Sequence, residues 1–245
     1  MDIDTAKLDQ FMGRFVQDLG AVMHAATIVV GDRLGLYKTL ARDGASTPTE
    51  LATRTETDPR YVREWLCAQA ASGYVNYDAA RERFYLSPEQ AFALTVEGGP
   101  AFIPGAFDIA VAQFKAIPKM LSAFRTGLGL GWHEHDEALF HGTERFFRPG
   151  YAANLVSSWI PSLEGMEARL RAGALVADVG CGHGASTLIM AEAFPASRFI
   201  GFDYHEPSVQ RAREAARRAG AQERVSFEVA GAKAYPGRDY DLVAM

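Results

Sequence analysis

The sequence is poor in cysteine, in long apolar runs and in basic charge, and each shortage excludes a class of protein. Its 245 residues include only two cysteines, Cys67 and Cys181, which are too few and too far apart for a disulfide framework or a cysteine metal site. The most apolar stretch, residues 20–31, holds 12 residues, whereas a bilayer-spanning helix needs about 20. We therefore expect a protein without membrane spans, located in the reducing cytoplasm.

Basic residues are outnumbered by acidic ones. The chain carries 25 Lys and Arg against 30 Asp and Glu, a net charge of −5, whereas proteins that bind nucleic acid over a broad face usually carry a basic excess. The first residues, Met1 to Asp4, lack the basic and apolar segments of a signal peptide. With 48% apolar and 22% charged residues, the composition is typical of packed globular domains.

Residues 5–30 show one wide apolar stripe at helical spacing, which predicts a long first helix. The stripe consists of Leu8, Phe11, Met12, Phe15, Leu19, Val22 and Met23. It has two interpretations, the ordinary core of the chain, which we favour, and the interface of a dimer.

Residues 31–98 predict a winged helix-turn-helix. One helix ends near Gly44, a second begins after Thr47 with Pro48 at its first position and Glu50 completing a capping box, and a third spans residues 60–72. Two short alternating segments, residues 74–77 and 83–86, then predict a hairpin.

A winged helix raises the possibility of DNA binding. The third helix offers Arg60 and Arg63, but also Glu64 and the bulky Trp65. Residues 1–100 contain 14 acidic and 10 basic side chains, so attraction to phosphate is weak. We therefore favour a structural and dimerising role for this part, and we expect nucleic acid not to be a partner.

Residues 101–170 predict mostly helix, interrupted by a glycine-rich break at residues 127–131 and returning to helical periodicity over residues 154–170. The break precedes a polar group formed by His133, His135 and His141 with Asp136 and Glu137. These side chains admit three interpretations, namely a metal cluster, the polar lining of a substrate pocket, or a solvated loop. We predict no metal site there.

From residue 175 the pattern changes to alternating strands and helices, which is typical of a doubly wound parallel sheet. Residues 175–179 form an apolar strand that runs into a glycine-rich loop, Gly180-Cys181-Gly182-His183-Gly184, and a helix follows. Gly180 and Gly182 permit positive φ and let a ligand touch bare backbone. The helix N-terminus attracts a carboxylate or phosphate.

Two acidic residues show which ligand suits this loop. Asp203 ends the neighbouring strand, 23 residues after Gly180, and an acid there accepts hydrogen bonds from ribose hydroxyls. Asp178 stands two positions before the first glycine, where its charge repels a pyrophosphate but suits an ammonium group. These residues favour S-adenosylmethionine over a nicotinamide cofactor.

Residues 178–184 (DVGCGHG) and 201–203 (GFD) resemble motifs I and II of class I methyltransferases, and the whole chain is similar to bacterial winged-helix methyltransferases related to plant O-methyltransferases. The resemblance implies that Asp178, Gly180 and Gly182 hold the methionine end of S-adenosylmethionine, that Asp203 holds its ribose, and that Tyr204 covers its adenine. It also implies a homodimer formed through the N-terminal helices.

Two further residues are assigned to the cofactor site with less support. Cys181 lies in the glycine loop, where a thiol is either a small filler or a nucleophile activated by the helix N-terminus. Tyr151 is either a core residue or a cofactor contact. His133 and His135 are weak candidates for a general base, and the acceptor is a small molecule, with oxygen the expected methyl-accepting atom.

The fold class predicted is α/β, with three regions. Residues 1–98 form a winged-helix and dimerisation domain, residues 99–170 a helical linker and substrate-pocket segment, and residues 171–245 the first half of a Rossmann-like domain.

The chain departs from the family pattern in two places. Residues 230–233 read Ala-Gly-Ala-Lys, where many relatives place an aspartate for the adenine amino group. The family's sheet has seven strands, but this chain only begins a fourth, which predicts a truncated chain. The alternatives to an active enzyme are a winged-helix regulator that senses a nucleoside ligand and a non-catalytic cofactor-binding fragment.

Overall fold

The computed structural model describes residues 3–245, which divide into two compact units. The first unit contains the residues up to Glu97 and Phe102–Val111, and the second contains Gly98–Ala101 and Ala112–Met245. Met1 and Asp2, which belong to the segment predicted to lack a signal peptide, lie outside the described residues.

The first unit contains the predicted winged helix. One antiparallel hairpin lies between its fourth and fifth helices, and in this hairpin Tyr77 pairs with Phe84. The elements are α1 (Thr5–Arg33), α2 (Leu36–Asp43), α3 (Pro48–Thr55), α4 (Pro59–Ala71), β1 (Asn76–Asp78), β2 (Arg83–Tyr85) and α5 (Pro88–Thr95).

A capping box fixes the start of α3, as the sequence predicts. The Thr47 hydroxyl accepts a hydrogen bond from the Glu50 backbone N–H at 3.3 Å, and the Glu50 carboxylate accepts one from the Thr47 N–H at 2.9 Å. The same carboxylate accepts two hydrogen bonds from Arg83 in β2, at 2.7 and 2.9 Å. These contacts join α3 to the hairpin, and they lower the pKa of Glu50 to about 2 because Arg83 and Thr47 stabilise its charged form.

The core of the first unit holds only the end of α1. The Trp65 indole N–H donates to the carbonyl of Thr27 at 2.8 Å, and the Tyr37 hydroxyl donates to Gln69 at 2.5 Å. Of the residues of α1, only Ile28 and Gly31 are buried. The core interpretation of the apolar stripe is therefore wrong for this chain, because its seven side chains are 42–65% exposed.

Within the described residues, no single helix has the length and apolar composition to cross a bilayer. The adjoining helices α1 and α2 meet the two criteria only when taken together, and they are bent by 62° where they meet.

The remaining elements include a four-stranded sheet, the helices that precede it in sequence and the helices that connect its strands. They are α6 (Pro104–Thr126), a 3₁₀ turn (Trp132–Glu134), α7 (Glu137–Asn154), a π-helix (Leu155–Trp159), α8 (Met166–Ala172), β3 (Leu175–Val179), α9 (Ala185–Ala193), β4 (Arg198–Asp203), α10 (Glu206–Arg218), β5 (Val225–Val229) and β6 (Leu242–Ala244).

The single helix predicted over residues 154–170 is interrupted. The chain passes from α7 into the π-helix, turns, and re-enters a helix at Met166. Pro161 has no backbone N–H to continue a helix, and Gly165 has a φ of 71°, which is outside the helical region. Periodicity alone does not detect these breaks, since the apolar spacing continues across them.

All four strands of the sheet are parallel, in the order β5-β4-β3-β6. One face of the sheet packs Val176, Phe199 and Phe227 into a core with α9 and α10, and the other face carries Ala177, Val179 and Phe202. The chain moves from β3 through β4 to β5 and then returns to the far side of β3. Ligands of doubly wound sheets bind at such a reversal, outside the carboxyl ends of the strands.

Candidate functional site

The glycine-rich loop leaves β3 at the reversal point and is held against β4 by backbone hydrogen bonds. The N–H groups of Gly180 and Cys181 both donate to the carbonyl of Phe202, at 2.7 and 3.1 Å. Gly184 then precedes α9, whose N-terminus faces the end of the sheet because the loop is short. The loop therefore brings bare backbone and a helix N-terminus together, as anion and nucleoside sites require.

The glycines of this loop serve two purposes. Gly180 and Gly182 have φ values of 84° and 53°, and a Cβ built on either would have nothing within 4 Å. A Cβ on Gly184 would lie 2.6 Å from the Phe227 ring, and one on Gly201 would also collide with that ring. Gly184 and Gly201 thus permit close packing of helix and strands, whereas Gly180 and Gly182 leave an open cradle for a ligand.

Asp203 occupies the end of β4 beside this cradle and is only 8% exposed. One carboxylate oxygen accepts a hydrogen bond from the N–H of Gly182 at 3.0 Å, and the other accepts one from the N–H of His205 at 2.8 Å. Each oxygen retains a further lone pair, so Asp203 can hold the loop and still accept hydrogen bonds from ligand hydroxyls.

Asp178, near the end of β3, is 5% exposed. Its carboxylate accepts hydrogen bonds from the Ser186 and Thr187 hydroxyls, at 2.7 and 2.5 Å, in the first turn of α9. Burial raises the pKa of Asp178, and the two hydroxyls oppose that shift. The charge of nearby Asp203 raises it further.

Neither carboxylate forms an ion pair with any residue that the structure describes. A buried carboxylate normally acquires a cationic partner or changes its protonation state. Two such buried groups at neighbouring strand ends mark a candidate binding site. The arrangement suits a ligand that brings both a cation and hydroxyl groups.

Helix α7 faces the loop across a cavity. The loop side is lined by Gly180, Cys181, Gly182 and His183, and the α7 side is lined by Phe140, Thr143, Glu144, Phe147 and Tyr151. The pKa of Tyr151 is raised by its burial and by the charge of Asp178. The sequence prediction named Tyr151 as a cofactor contact, and the structure brings it to the same cavity as the glycine loop.

The Cys181 thiol is 7% exposed. Its pKa is raised, first by burial and then by the charges of Asp178 and Asp203. The thiol therefore stays protonated near neutral pH, which favours the filler interpretation over a nucleophile.

The remaining predicted residues lie at the edge of the site. Tyr204 follows Asp203 directly and is 48% exposed, and its ring lies 5.9 Å from the ring of His133, edge to face. His135 lies 6.0 Å from the Trp132 ring, and its Nδ1 is buried without a hydrogen-bond partner among the described residues. Neither histidine belongs to the described lining of the glycine-loop cavity, although the adjacent Trp132 does.

Sequence reasoning did not identify the polar pair Glu144 and His183. His183 Nδ1 lies 2.8 Å from a carboxylate oxygen of Glu144, and the two residues are 39 positions apart. The spacing carries no signal, since only the packing of α7 against the loop brings them together. A histidine inside a glycine loop was the one available hint.

Two family models match the chain. Residues 22–96 match the Rv2258c-like winged HTH domain, and residues 170–244 match a methyltransferase domain. No curated protein matches it significantly.

Several solved structures share the fold. The mitomycin 7-O-methyltransferase is 19% identical, with a TM-score of 0.69 over 98% of this chain and 71% of that one. A putative O-methyltransferase from Nostoc punctiforme is 18% identical, with a TM-score of 0.70 over 94% and 68%. Human N-acetylserotonin methyltransferase, solved with S-adenosylmethionine, is 18% identical, with a TM-score of 0.60 over 95% and 69%.

Proposed function

We infer that this chain, a methyltransferase with an N-terminal winged-helix domain, binds S-adenosylmethionine and transfers its methyl group to an oxygen of a small-molecule acceptor. The observation that carries the proposal is the pair of buried carboxylates, Asp178 and Asp203, beside the open cradle of Gly180 and Gly182. S-adenosylmethionine offers a cationic ammonium, a cationic sulfonium and two ribose hydroxyls. These groups can serve as the cationic and hydrogen-bonding partners of the two carboxylates.

Each residue of the site has a proposed role. Asp203 accepts hydrogen bonds from the ribose hydroxyls, Asp178 attracts the ammonium group, and the bare backbone of Gly180 and Gly182 admits the methionine end. Tyr204 covers the adenine. Cys181 fills the space behind the loop.

Catalysis in this proposal is mainly positioning. When bound, the cofactor supplies an electrophilic methyl group on its sulfonium. The chain contributes by holding the acceptor oxygen in line with that methyl group, a placement that removes much of the entropic barrier. Tyr151 and Phe147 form the wall of α7 beside the loop, where they exclude water from the site.

The proposed candidates for a general base are His133 and His135. His133 lies edge to face against the Tyr204 ring, and His135 packs against Trp132, which lines the glycine-loop cavity. Oxygen is proposed as the acceptor atom because two structures of similar fold are named as O-methyltransferases.

Calorimetric titration with S-adenosylmethionine and, separately, with NAD tests the cofactor assignment. We expect a micromolar dissociation constant for the first and no heat for the second. Tight binding of NAD would contradict the proposal. So would the absence of binding of both ligands by a chain with native circular dichroism. Formation of S-adenosylhomocysteine with phenolic acceptors then separates an enzyme from a non-catalytic binding fragment.

We also propose that the exposed stripe of α1 forms a homodimer. An apolar stripe of this length on a helix indicates an interaction surface, because single-chain proteins rarely expose one. Sedimentation should show that the wild type is a dimer and that the double variant Phe11→Glu with Phe15→Glu is a monomer. Tyr61→Glu, which changes an aromatic side chain that is 75% exposed on α4, should leave it intact, and a monomeric wild type would contradict the proposal.

The regional assignments remain proposals as well. We assign residues 1–98 to dimerisation, residues 99–170 to the substrate pocket and residues 171–245 to cofactor binding, and we place the chain in the cytoplasm on its two free cysteines. A regulatory role on DNA gains no support, since Arg63 of α4 pairs with the adjacent Glu64 at 2.9 Å.

A further inference from the structure

Glu144 and His183 connect α7 directly to the glycine loop. His183 stands between Gly182 and Gly184, and its side chain is only 6% exposed. Its Nδ1 lies 2.8 Å from Oε2 of Glu144, and the other carboxylate oxygen lies 3.7 Å from an Arg148 guanidinium nitrogen. The hydrogen bond to His183 is the main reason that the pKa of Glu144 lies below its usual range. Glu144 is therefore anionic near neutral pH, and the contact is a charge-assisted hydrogen bond.

The pair also lies between the glycine loop and α7 where two cavities share their lining. Glu144 and His183 line the glycine-loop cavity, and they also line a second cavity. The second cavity is bounded further by Leu188, Ile189, Glu192, Arg218 and Arg224.

The loop needs such an anchor because of its composition. Gly180, Gly182 and Gly184 all have positive φ, and glycine loses more conformational freedom on ordering than any other residue. His183 has the one long polar side chain between Gly180 and Gly184, so its contact with α7 restricts the segment where the backbone is most free.

We propose that Glu144 is a positioning residue for cofactor binding, which acts through His183 to hold the glycine loop in the conformation that presents Gly180 and Gly182 to the ligand. The effect on affinity rests on the proposed binding of S-adenosylmethionine. The effect on the loop does not, because the contact exists in the ligand-free chain.

The test compares Glu144→Ala and Glu144→Gln with a matched control, Glu167→Ala. Glu167 pairs with Arg171 at 2.7 Å on the exposed surface of α8 and is not among the described residues that line either cavity. Two quantities are measured, the amide hydrogen exchange of Gly182 and Gly184 without ligand, and the dissociation constant for S-adenosylmethionine.

We expect Glu144→Ala to accelerate exchange at both amides and to weaken binding about tenfold, the size expected for a lost charge-assisted hydrogen bond. Glu144→Gln, which keeps a neutral acceptor for His183, should recover part of both losses, and Glu167→Ala should change neither. His183→Ala should match Glu144→Ala, and the double variant should add nothing further.

Three outcomes would overturn the proposal. Wild-type exchange and affinity in Glu144→Ala would show that the pair positions nothing. Weaker binding with unchanged exchange would show that Glu144 contacts the ligand itself, and additive losses in the double variant would show that Glu144 and His183 act separately. A wild type that binds no S-adenosylmethionine would contradict the proposed function instead, while the exchange measurement would still test the loop.

Discussion

In the first unit the buried carboxylate of Asp108, 3% exposed, accepts a hydrogen bond from Arg33 at 2.9 Å. In the second unit Asp178 and Asp203 are nearly as buried, but they accept hydrogen bonds from hydroxyl and backbone groups without a described cation. The first unit thus neutralises its buried charge internally. The second keeps two buried charges that a cationic ligand can neutralise, at a cost in stability.

The glycines of the second unit repeat this contrast within one loop. A side chain on Gly184 would collide with Phe227, whereas one on Gly182 would enter open space. Close packing therefore marks Gly184 as a structural residue, whereas the open space beside Gly182 and the buried carboxylates marks a candidate binding site.

The largest effect is expected for Asp203→Ala. The substitution removes the proposed acceptor for two ribose hydroxyls and releases the N–H groups of Gly182 and His205. We expect affinity for S-adenosylmethionine to fall about 100-fold or more. Calorimetry against wild type measures the change, and a dissociation constant within threefold of wild type would remove Asp203 from the site.

A second pair of variants sharpens the contrast between glycines. Gly184→Ala places a Cβ 2.6 Å from Phe227, so we expect a loss of about 3 kcal/mol in the free energy of unfolding. Gly182→Ala should cost only about 1 kcal/mol, for its positive φ, but should abolish ligand binding. Urea denaturation and calorimetry check both, and equal destabilisation by the two variants would break the contrast.

Asparagine substitutions at Asp178 and Asp108 should change the free energy of unfolding in opposite directions. Asp178→Asn removes a buried unpaired charge, so we expect the ligand-free chain to gain about 1 kcal/mol. Asp108→Asn weakens the contact with Arg33 and should lose a similar amount.

The pH dependence provides a check on this prediction. The folded pKa of Asp178 is raised above its unfolded value, so its contribution favours folding at low pH and is lost as pH rises through the folded pKa. We therefore expect the melting temperature of the wild type to decline as pH rises through that pKa, and Asp178→Asn should remove this decline. If both asparagine variants destabilise the chain at neutral pH, the comparison of the units fails.

The smallest effect concerns the first unit alone. Glu50 has a folded pKa of about 2, depressed from 4.5, so its contribution is present above pH 4.5 and is lost as pH falls towards 2. Glu50→Gln should melt at a lower temperature than wild type at pH 6, and the two should converge near pH 2. A gap that persists at pH 2 would show that Arg83 acts otherwise than through the charge of Glu50.

Local signals in the sequence predicted much of this structure. Thr47 and Glu50 predicted the start of α3, because a capping box involves neighbours in sequence, and the residue order from Asp178 to Asp203 predicted the loop between two parallel strands. The predicted fold class is confirmed by the four parallel strands and by the winged helix of the first unit.

The rest depends on contacts between distant residues. The exposure of the α1 stripe depends on whether other parts of the chain pack over it. The apolar periodicity of α1 carries no information about that packing. The purpose of Gly184 follows from Phe227, 43 positions away, and the pairing of Glu144 with His183 follows from the packing of α7. The break before Met166 results from Pro161 and Gly165 acting within an unbroken apolar pattern.

The most direct test of the central claim uses two ligands on one variant. S-adenosylmethionine and methylthioadenosine share the adenosine, but only the first carries an ammonium group and a sulfonium. If Asp178 attracts those cations, Asp178→Asn should weaken S-adenosylmethionine about tenfold and leave methylthioadenosine within twofold of wild type. Equal losses for both ligands, or none for either, would contradict the assignment of Asp178 as the anionic partner of the cofactor.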